Sequence, residues 1–304
     1  MSEPSDTYSA AAEVGQVRQR RSRLSRMWIG LKKAPPSAMF GMTIIVIYAV
    51  FAIFAHWLSP YGQADSSFGA YLPWGDGHLL GTDQIGRDIY SRLIYGAQNT
   101  IGIALVTTIL SFAIGGSLGL IAAILRGWVD SILSRLIDVL MAIPGLIFAL
   151  MLLSIFGSST WGLILIIAVL DSTRVFRLTR AVSMNVVVMD YVEAARLRGE
   201  GLGWVMRREI LPNILPPMVA EFGLRFSFVF LTIAALSFLG VGIQPPTADW
   251  GSMVRENASL IQFAKYDLKG AITPLLPAGA IALLTVAVNF VVDWFLQKTS
   301  GLKE

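Results

Sequence analysis

The sequence predicts an all-α, polytopic transmembrane bundle of six spans, and three observations predict it. Hydrophobic residues make up 55% of the 304 residues and charged residues only 14%, where a soluble domain carries about a quarter. The apolar residues gather in runs of about 20, the length a helix needs to cross a bilayer. Between two of those runs lies a charge-rich stretch, "DYVEAARLRGEGLGWVMRREILPN" at 190–213, too polar to be left in lipid.

The elements follow in order. Residues 1–37 form a basic tail, with Arg18, Arg20, Arg21, Arg23, Arg26, Lys32 and Lys33. It is longer than a signal-peptide n-region, and the first span is read as a retained anchor. The transmembrane unit is 38–304. Span one covers 38–58, and an outer segment continues to 99. The core unit, 100–304, begins with span two at 100–125 and span three at 132–156. Span four covers 161–170 with a polar extension towards 179, since Asp171 and Arg174 follow its apolar part. A cytoplasmic loop occupies 181–213. Span five is 215–243, a second outer segment 244–271, and span six 272–296. Gly115, Gly116 and Gly119 in span two permit close helix approach. Pro144, Pro216 and Pro217 are read as packing features too. Trp57, Trp74, Trp161, Trp250 and Trp294 fall at span ends, where interfacial aromatics sit.

Basic residues orient the bundle, because cytoplasmic loops carry the Lys/Arg excess. With six spans, the tail, the charged loop, Arg126, Arg135, Lys298 and Lys303 share one side, eighteen basic residues in all. The other side has Arg87, Arg92, Arg255, Lys265 and Lys269; Arg225 lies within span five. Both termini and the charged loop are therefore expected in the cytoplasm.

Several function classes are excluded or disfavoured. The basic residues have this topological explanation, so a nucleic-acid partner is rejected. The absence of cysteine removes disulfides, thiolate metal sites and cysteine nucleophiles. His56 and His78 have no second ligand set nearby in sequence, so no metal is expected. No G-x-x-x-x-G-K-[ST] loop occurs, so any nucleotide consumed is bound by another subunit. Asp138, Asp171, Glu221, Arg225 and Asp293 lie within or beside spans, nearer the cytoplasmic ends than the centre. Arg135, Arg174 and the Glu221–Arg225 spacing offer local pairing, which is favoured over a proton relay. An ion-coupled secondary transporter is thereby disfavoured, and a membrane enzyme or scaffold lacks a convergent Ser/His/Asp or metal set.

The charged loop reads as helix over 181–198, with Val182, Val186 and Met189 on one apolar face. Gly199, Gly201 and Gly203 supply a turn. A short helix at 204–211 follows, and Pro212 stops it. Ala194 and Ala195 make a small-residue patch amid Glu193, Arg196, Arg198 and Glu200. These residues alone fit a solvated connector or a docking surface.

Glu193-Ala194-Ala195, Gly199 and Ile210-Leu211-Pro212 resemble the EAA loop of ABC importer permeases. "LLGTDQIGRDIYSRLIYGAQNT" at 79–100 resembles the G-T-D-x-x-G-R-D-x-x-S-R segment of the dipeptide/oligopeptide/nickel branch, in its dipeptide permease C-type. The similarity extends from about residue 27 to the C-terminus. It implies type I ABC importer permease architecture in the bacterial cytoplasmic (inner) membrane. The EAA residues would be ATPase-coupling residues, their helix seated in a groove of an ATPase subunit. The implied partners are a second, related permease chain in a heterodimer, two cytoplasmic ABC ATPase subunits that bind ATP and Mg, and an extracytoplasmic substrate-binding protein. This chain would hold no cofactor and catalyse no covalent reaction. Spans two, three and five would line the path. Di- and oligopeptides are the implied cargo, with nickel, glutathione, opine-sugar phosphates or murein peptides as alternatives. In the outer motif, Asp83, Arg87 and Asp88 are expected to pair and lock a surface turn, with Gly81 and Gly86 at its bends and Thr82 between. That structural role is favoured over contact with substrate or binding protein.

Overall fold

The computed structural model describes residues 34–300 apart from Asp76, with side chains to Lys298, so the tail at 1–33 lies outside the described residues. The described chain is helical; its one β-bridge pairs Thr82 with Asp88. Helix α1 (Pro36–Ile53) starts with proline in its first turn, where the missing N–H costs nothing. Helix α2 (Ile89–Leu125) has 37 residues, about 55 Å. Helices α3 (Gly127–Ala142) and α4 (Gly145–Phe156) are followed by α5 (Thr160–Val187) and the short α6 (Asp190–Leu197). Helix α7 (Leu202–Phe238) is continuous but for a π turn at Met206–Ile210. A short α8 (Trp250–Asn257) lies in the second outer segment, and α9 (Leu275–Ser300) closes the chain.

By length and composition, α1, α2, α7 and the segment Leu268–Lys298 suffice to cross a membrane. The pair α3–α4 makes a fifth span if counted as one, although it bends by 87°. The third span, read as one run at 132–156, is thus broken into two helices. Pro144 lacks an N–H and forces its predecessor away from the helical region; Ile143 is extended, at ψ 132°. Span two also starts earlier than read, because the Asp88 carboxylate caps it by accepting from the Ser91 N–H at 2.7 Å. Helix α5 is long enough to cross, but Asp171 lies near its middle and Arg174, Arg177 and Arg180 follow in its second half.

Helices α2 and α5 share the most extensive helix contact among the described residues. They run parallel: Ser111 meets Asp171, Gly115 meets Ser172 and Val175, and Gly119 meets Phe176 and Thr179. A Cβ on Gly119 would stand 2.7 Å from the Phe176 carbonyl oxygen, and one on Gly115 would collide with that of Ser172. The glycines set this approach, as small residues do between membrane helices. Two parallel neighbours require the chain between them to return, which is the course of α3 and α4. Helix α1 packs on α9 through Gly41, whose Cβ would meet the Ala287 carbonyl oxygen at 2.5 Å.

The main core joins α1, α2, α5, α7, α8 and α9 around Phe226, Phe230, Trp250, Leu163, Ile167 and Ala104. Trp250 is a correction to the interfacial reading. It is buried, edge-on to Tyr48 at 5.4 Å, and donates from its indole N–H to the Leu93 carbonyl at 2.9 Å. A second cluster gathers the α2, α5 and α7 ends around α6.

Candidate functional site

The charged loop is two helical pieces on a compact base. Val188 and Met189 separate α5 from α6, so the predicted continuous helix over 181–198 is broken; Met189 is extended, at ψ 143°. Asp190 and Glu193 lie in the first turn of α6 and Arg196 in the last, as the helix dipole favours. A Schellman-type cap ends it. Gly199, at φ +81°, donates to the Arg196 carbonyl at 2.9 Å, and the Glu200 N–H donates to the Ala195 carbonyl at 3.2 Å.

The two faces of α6 differ. Val192 and Ala195 are fully buried against Val187, Val205, Ile210 and Ile214, three residues apart and hence on one face. Glu193, Ala194, Arg196, Arg198 and Gly199 face outward, and Leu197 is 83% exposed. The predicted Ala194–Ala195 patch is therefore split: Ala194 is open, whereas Ala195 is core. Pro212 does not stop the helix. The π turn just before it widens the backbone, which accommodates a proline ring that would otherwise crowd the preceding carbonyl. Ile210 is buried and Leu211 is 40% exposed.

On the opposite end, the outer motif is a buried ion network. Asp83 accepts from the N–H groups of Ile85 and Arg87 at 3.0 Å each, and from Arg87 Nε at 2.6 Å. Gly81 and Gly86 take φ of +73° and +79°, and a Cβ on Gly86 would strike the Phe68 carbonyl. The Thr82 hydroxyl donates to the Gly69 carbonyl at 2.7 Å. Asp88 holds His78 Nδ1 at 2.8 Å besides capping α2. Of the expected local pairing, Asp83–Arg87 forms whereas Asp88 pairs with His78 instead, and the result is a buried junction rather than a surface turn. Arg87 and Arg92 both reach Glu256 of α8, at 2.6 and 3.1 Å. Gln63 accepts from Ala248 N–H and Asn99 Nδ2 at 2.9 and 3.0 Å. Buried charges persist only when paired, and two carboxylates here meet two guanidinium groups. Glu256, Gln63 and Asn99 were missed in the sequence; Arg92 stood within the motif as its final residue.

Between spans, Asp138 and Asp171 pair across helices rather than locally. Asp138 accepts from Arg177 at 2.5 Å, not from Arg135. Asp171 accepts from the Ser111 hydroxyl at 2.8 Å and lies 3.7 Å from Arg225, not with Arg174. The Glu221–Arg225 pair forms as read, at 2.7 Å. Helix register explains the change: α2, α5 and α7 meet at Asp171, so partners on neighbouring helices are nearer than residues along its own.

Residues 115–299 match the family described as binding-protein-dependent transport system inner membrane component, and residues 22–73 match the N-terminal TM domain of oligopeptide transport permease C. The chain is 39% identical over 277 residues to a dipeptide transport system permease protein DppC of Escherichia coli, covering 89% of this chain and 90% of that one. It is 35% identical over 280 residues to the Haemophilus influenzae protein of that name, covering 90% and 92%. A glutathione transport system permease protein, GsiD of Pectobacterium atrosepticum, is 32% identical over 257 residues, covering 83% and 82%. Matched through the helices that carry both the α6 loop and the α2–α5 glycine contact, and over nearly the whole length of these relatives, the chain belongs to the inner membrane components of binding-protein-dependent transport systems.

Proposed function

We propose that this chain is one permease subunit of an ATP-driven importer of di- and oligopeptides. The observation that carries it is the two-faced α6: a buried base fixed to α2, α5 and α7, and an outward face of Glu193, Ala194, Leu197 and Arg198 ending at Gly199. A rigid helix joined to three long helices transmits displacement, whereas a solvated connector would absorb it. The outward face is the surface an ATPase subunit engages, and Ile210, Leu211 and Pro212 join it to α7.

The reading includes six crossings with both termini cytoplasmic. The parallel α2–α5 pair supports counting α3–α4 as a crossing, and the basic asymmetry supports the orientation. The partners are a second permease chain forming a heterodimer, two ATPase subunits that hold ATP and Mg, and an extracytoplasmic binding protein; this chain forms part of the path and performs no covalent step. The relatives named for dipeptide transport support peptides as cargo, and the relative named for glutathione favours a peptide-like solute as the second reading. The test is uptake of radiolabelled Ala-Ala into proteoliposomes with and without the partner subunits. Uptake should require all of them and ATP; uptake by this chain alone, driven by a proton gradient, would overturn the assignment.

A further inference from the structure

At the α3–α4 break a cavity of about 390 Å³ opens between Pro144, Asp171, Thr173, Arg174, Phe228 and Thr232. It lies between helices that otherwise present apolar side chains. Asp171 stands 11 residues into α5, about 17 Å along its axis, well inside the bundle.

Of its two charged lining residues, Asp171 has partners, whereas Arg174 has no carboxylate within ion-pair distance among the described residues. The Arg174 guanidinium rests over the Phe228 ring at 5.5 Å. Arg225 does not line the cavity; it stands behind the same ring at 4.6 Å, with the carboxylates of Glu221 and Asp171 at 2.7 and 3.7 Å. An ionisable side chain inside a membrane bundle is costly and marks a path for polar solutes. The broken helix adds to this. Helix α4 begins at Gly145 with no side-chain cap, so its first N–H groups and positive dipole end border the cavity, the arrangement by which interrupted membrane helices receive anionic substrate groups. The carboxylate of Asp171 is already held by Ser111 and Arg225, which leaves Arg174 as the accessible charge.

Resting on the peptide-importer reading, we propose that this cavity is a transit subsite for the carboxylate of the substrate, bound by Arg174 and the α4 N-terminus over the Phe228 ring. The subsite gives the path a preference for solutes with a free carboxylate that acts after the binding protein has released its cargo.

Two measurements test it on the assembled importer. Thr232→Cys, in a chain without cysteine, provides a thiol in the cavity. It should react at least ~5-fold faster with the anionic sulfonatoethyl methanethiosulfonate than with the cationic trimethylammonium reagent, and Arg174→Glu should reverse the order. This readout does not involve peptide. Separately, Arg174→Gln should lower Ala-Ala uptake about 10-fold or more while binding-protein-stimulated ATP hydrolysis stays within about twofold, and Arg174→Lys should recover most of the uptake. An unreactive thiol in the Thr232→Cys variant, an unchanged reagent order, or parental uptake by Arg174→Gln overturns the subsite. If the parent importer takes up no peptide but the anion preference holds, the peptide reading fails while the anion subsite stands.

Discussion

Arg87 and Glu256, 169 residues apart in sequence, are joined by a 2.6 Å ion pair, with Arg87 buried and the Glu256 side chain 9% exposed. That contact fastens the first outer segment to α8, one residue before the Asp88 cap that starts α2. Removing one member of a buried pair leaves an uncompensated charge, at about 3–5 kcal/mol. Glu256→Gln should therefore lower the unfolding midpoint of the detergent-solubilised chain substantially. The double variant Arg87→Met, Glu256→Leu should lose less than the two single changes together. Additive losses, or a Glu256→Gln variant as stable as the parent, would show that the network contributes no coupling.

The glycine contact between α2 and α5 makes a second, controlled comparison. Gly119→Ala forces a Cβ against the Phe176 carbonyl and the Thr179 side chain, whereas Gly116 has open space at that position. Overpacking costs about 1–3 kcal/mol. Gly116→Ala should be neutral or gain up to about 1 kcal/mol from helix propensity. Resistance to unfolding in detergent should separate the two neighbours in that order; equal behaviour would remove the close-packing account.

Much of this arrangement was legible in the sequence, and what was not has a common physical cause. Apolar runs marked the long helices because burial in lipid demands continuous apolar sequence. Gly199 announced its turn because a left-handed residue favours glycine, and the Asp83–Arg87 spacing announced its own ion pair. Tertiary relations were hidden. Ala194 and Ala195 have identical side chains, and only the packing of α6 decides which is core. Glu256 carries no local sign that it answers Arg87. Trp250 has the position of an interfacial residue, but Gly96 opens a slot that buries it. Pro144 and Pro212 are the same residue with opposite results, a sharp bend in one case and a wide turn in the other, because only α7 has a π turn ahead of its proline.

Asp249 offers a pH test outside the spans. Its carboxylate caps α8 by accepting from the Ser252 N–H at 3.1 Å, and burial pushes its pKa above the ordinary carboxylate range. A raised folded-state value means the neutral acid is preferred in the fold. Its contribution is complete below the unfolded value, about 3.9, and is lost as pH rises through the folded value. Asp249→Asn keeps an accepting oxygen and cannot ionise. Thermal midpoints of parent and variant should therefore shift in the parent's favour as pH falls from 7 towards 4. A constant gap across that range would rule out ionisation of Asp249 as the cause.

The last prediction separates force transmission from packing within a single dipeptide. Ala194 and Ala195 are adjacent, yet one faces outward and the other is fully buried among Val192, Val205, Ile210 and Ile214. Ala194→Trp adds bulk only to the outward face, so the folded chain should keep its stability and assemble. If that face seats against an ATPase subunit, the added ring should abolish ATP-driven peptide uptake, and hydrolysis by the complex should fall or lose its stimulation by loaded binding protein. Ala195→Trp instead overfills the base of α6, and should destabilise the chain before any question of coupling arises, by about 1–3 kcal/mol or more. Gly199→Val tests the cap between them. A Cβ there has open space, but the φ of +81° does not suit a β-branched residue, at about 1–2 kcal/mol locally. Uptake and stimulated hydrolysis would be measured in the same reconstituted complexes, alongside the unfolding midpoint of each variant. Parental uptake by a stably assembled Ala194→Trp complex would reduce the loop to a solvated connector and remove the physical basis for coupling through α6.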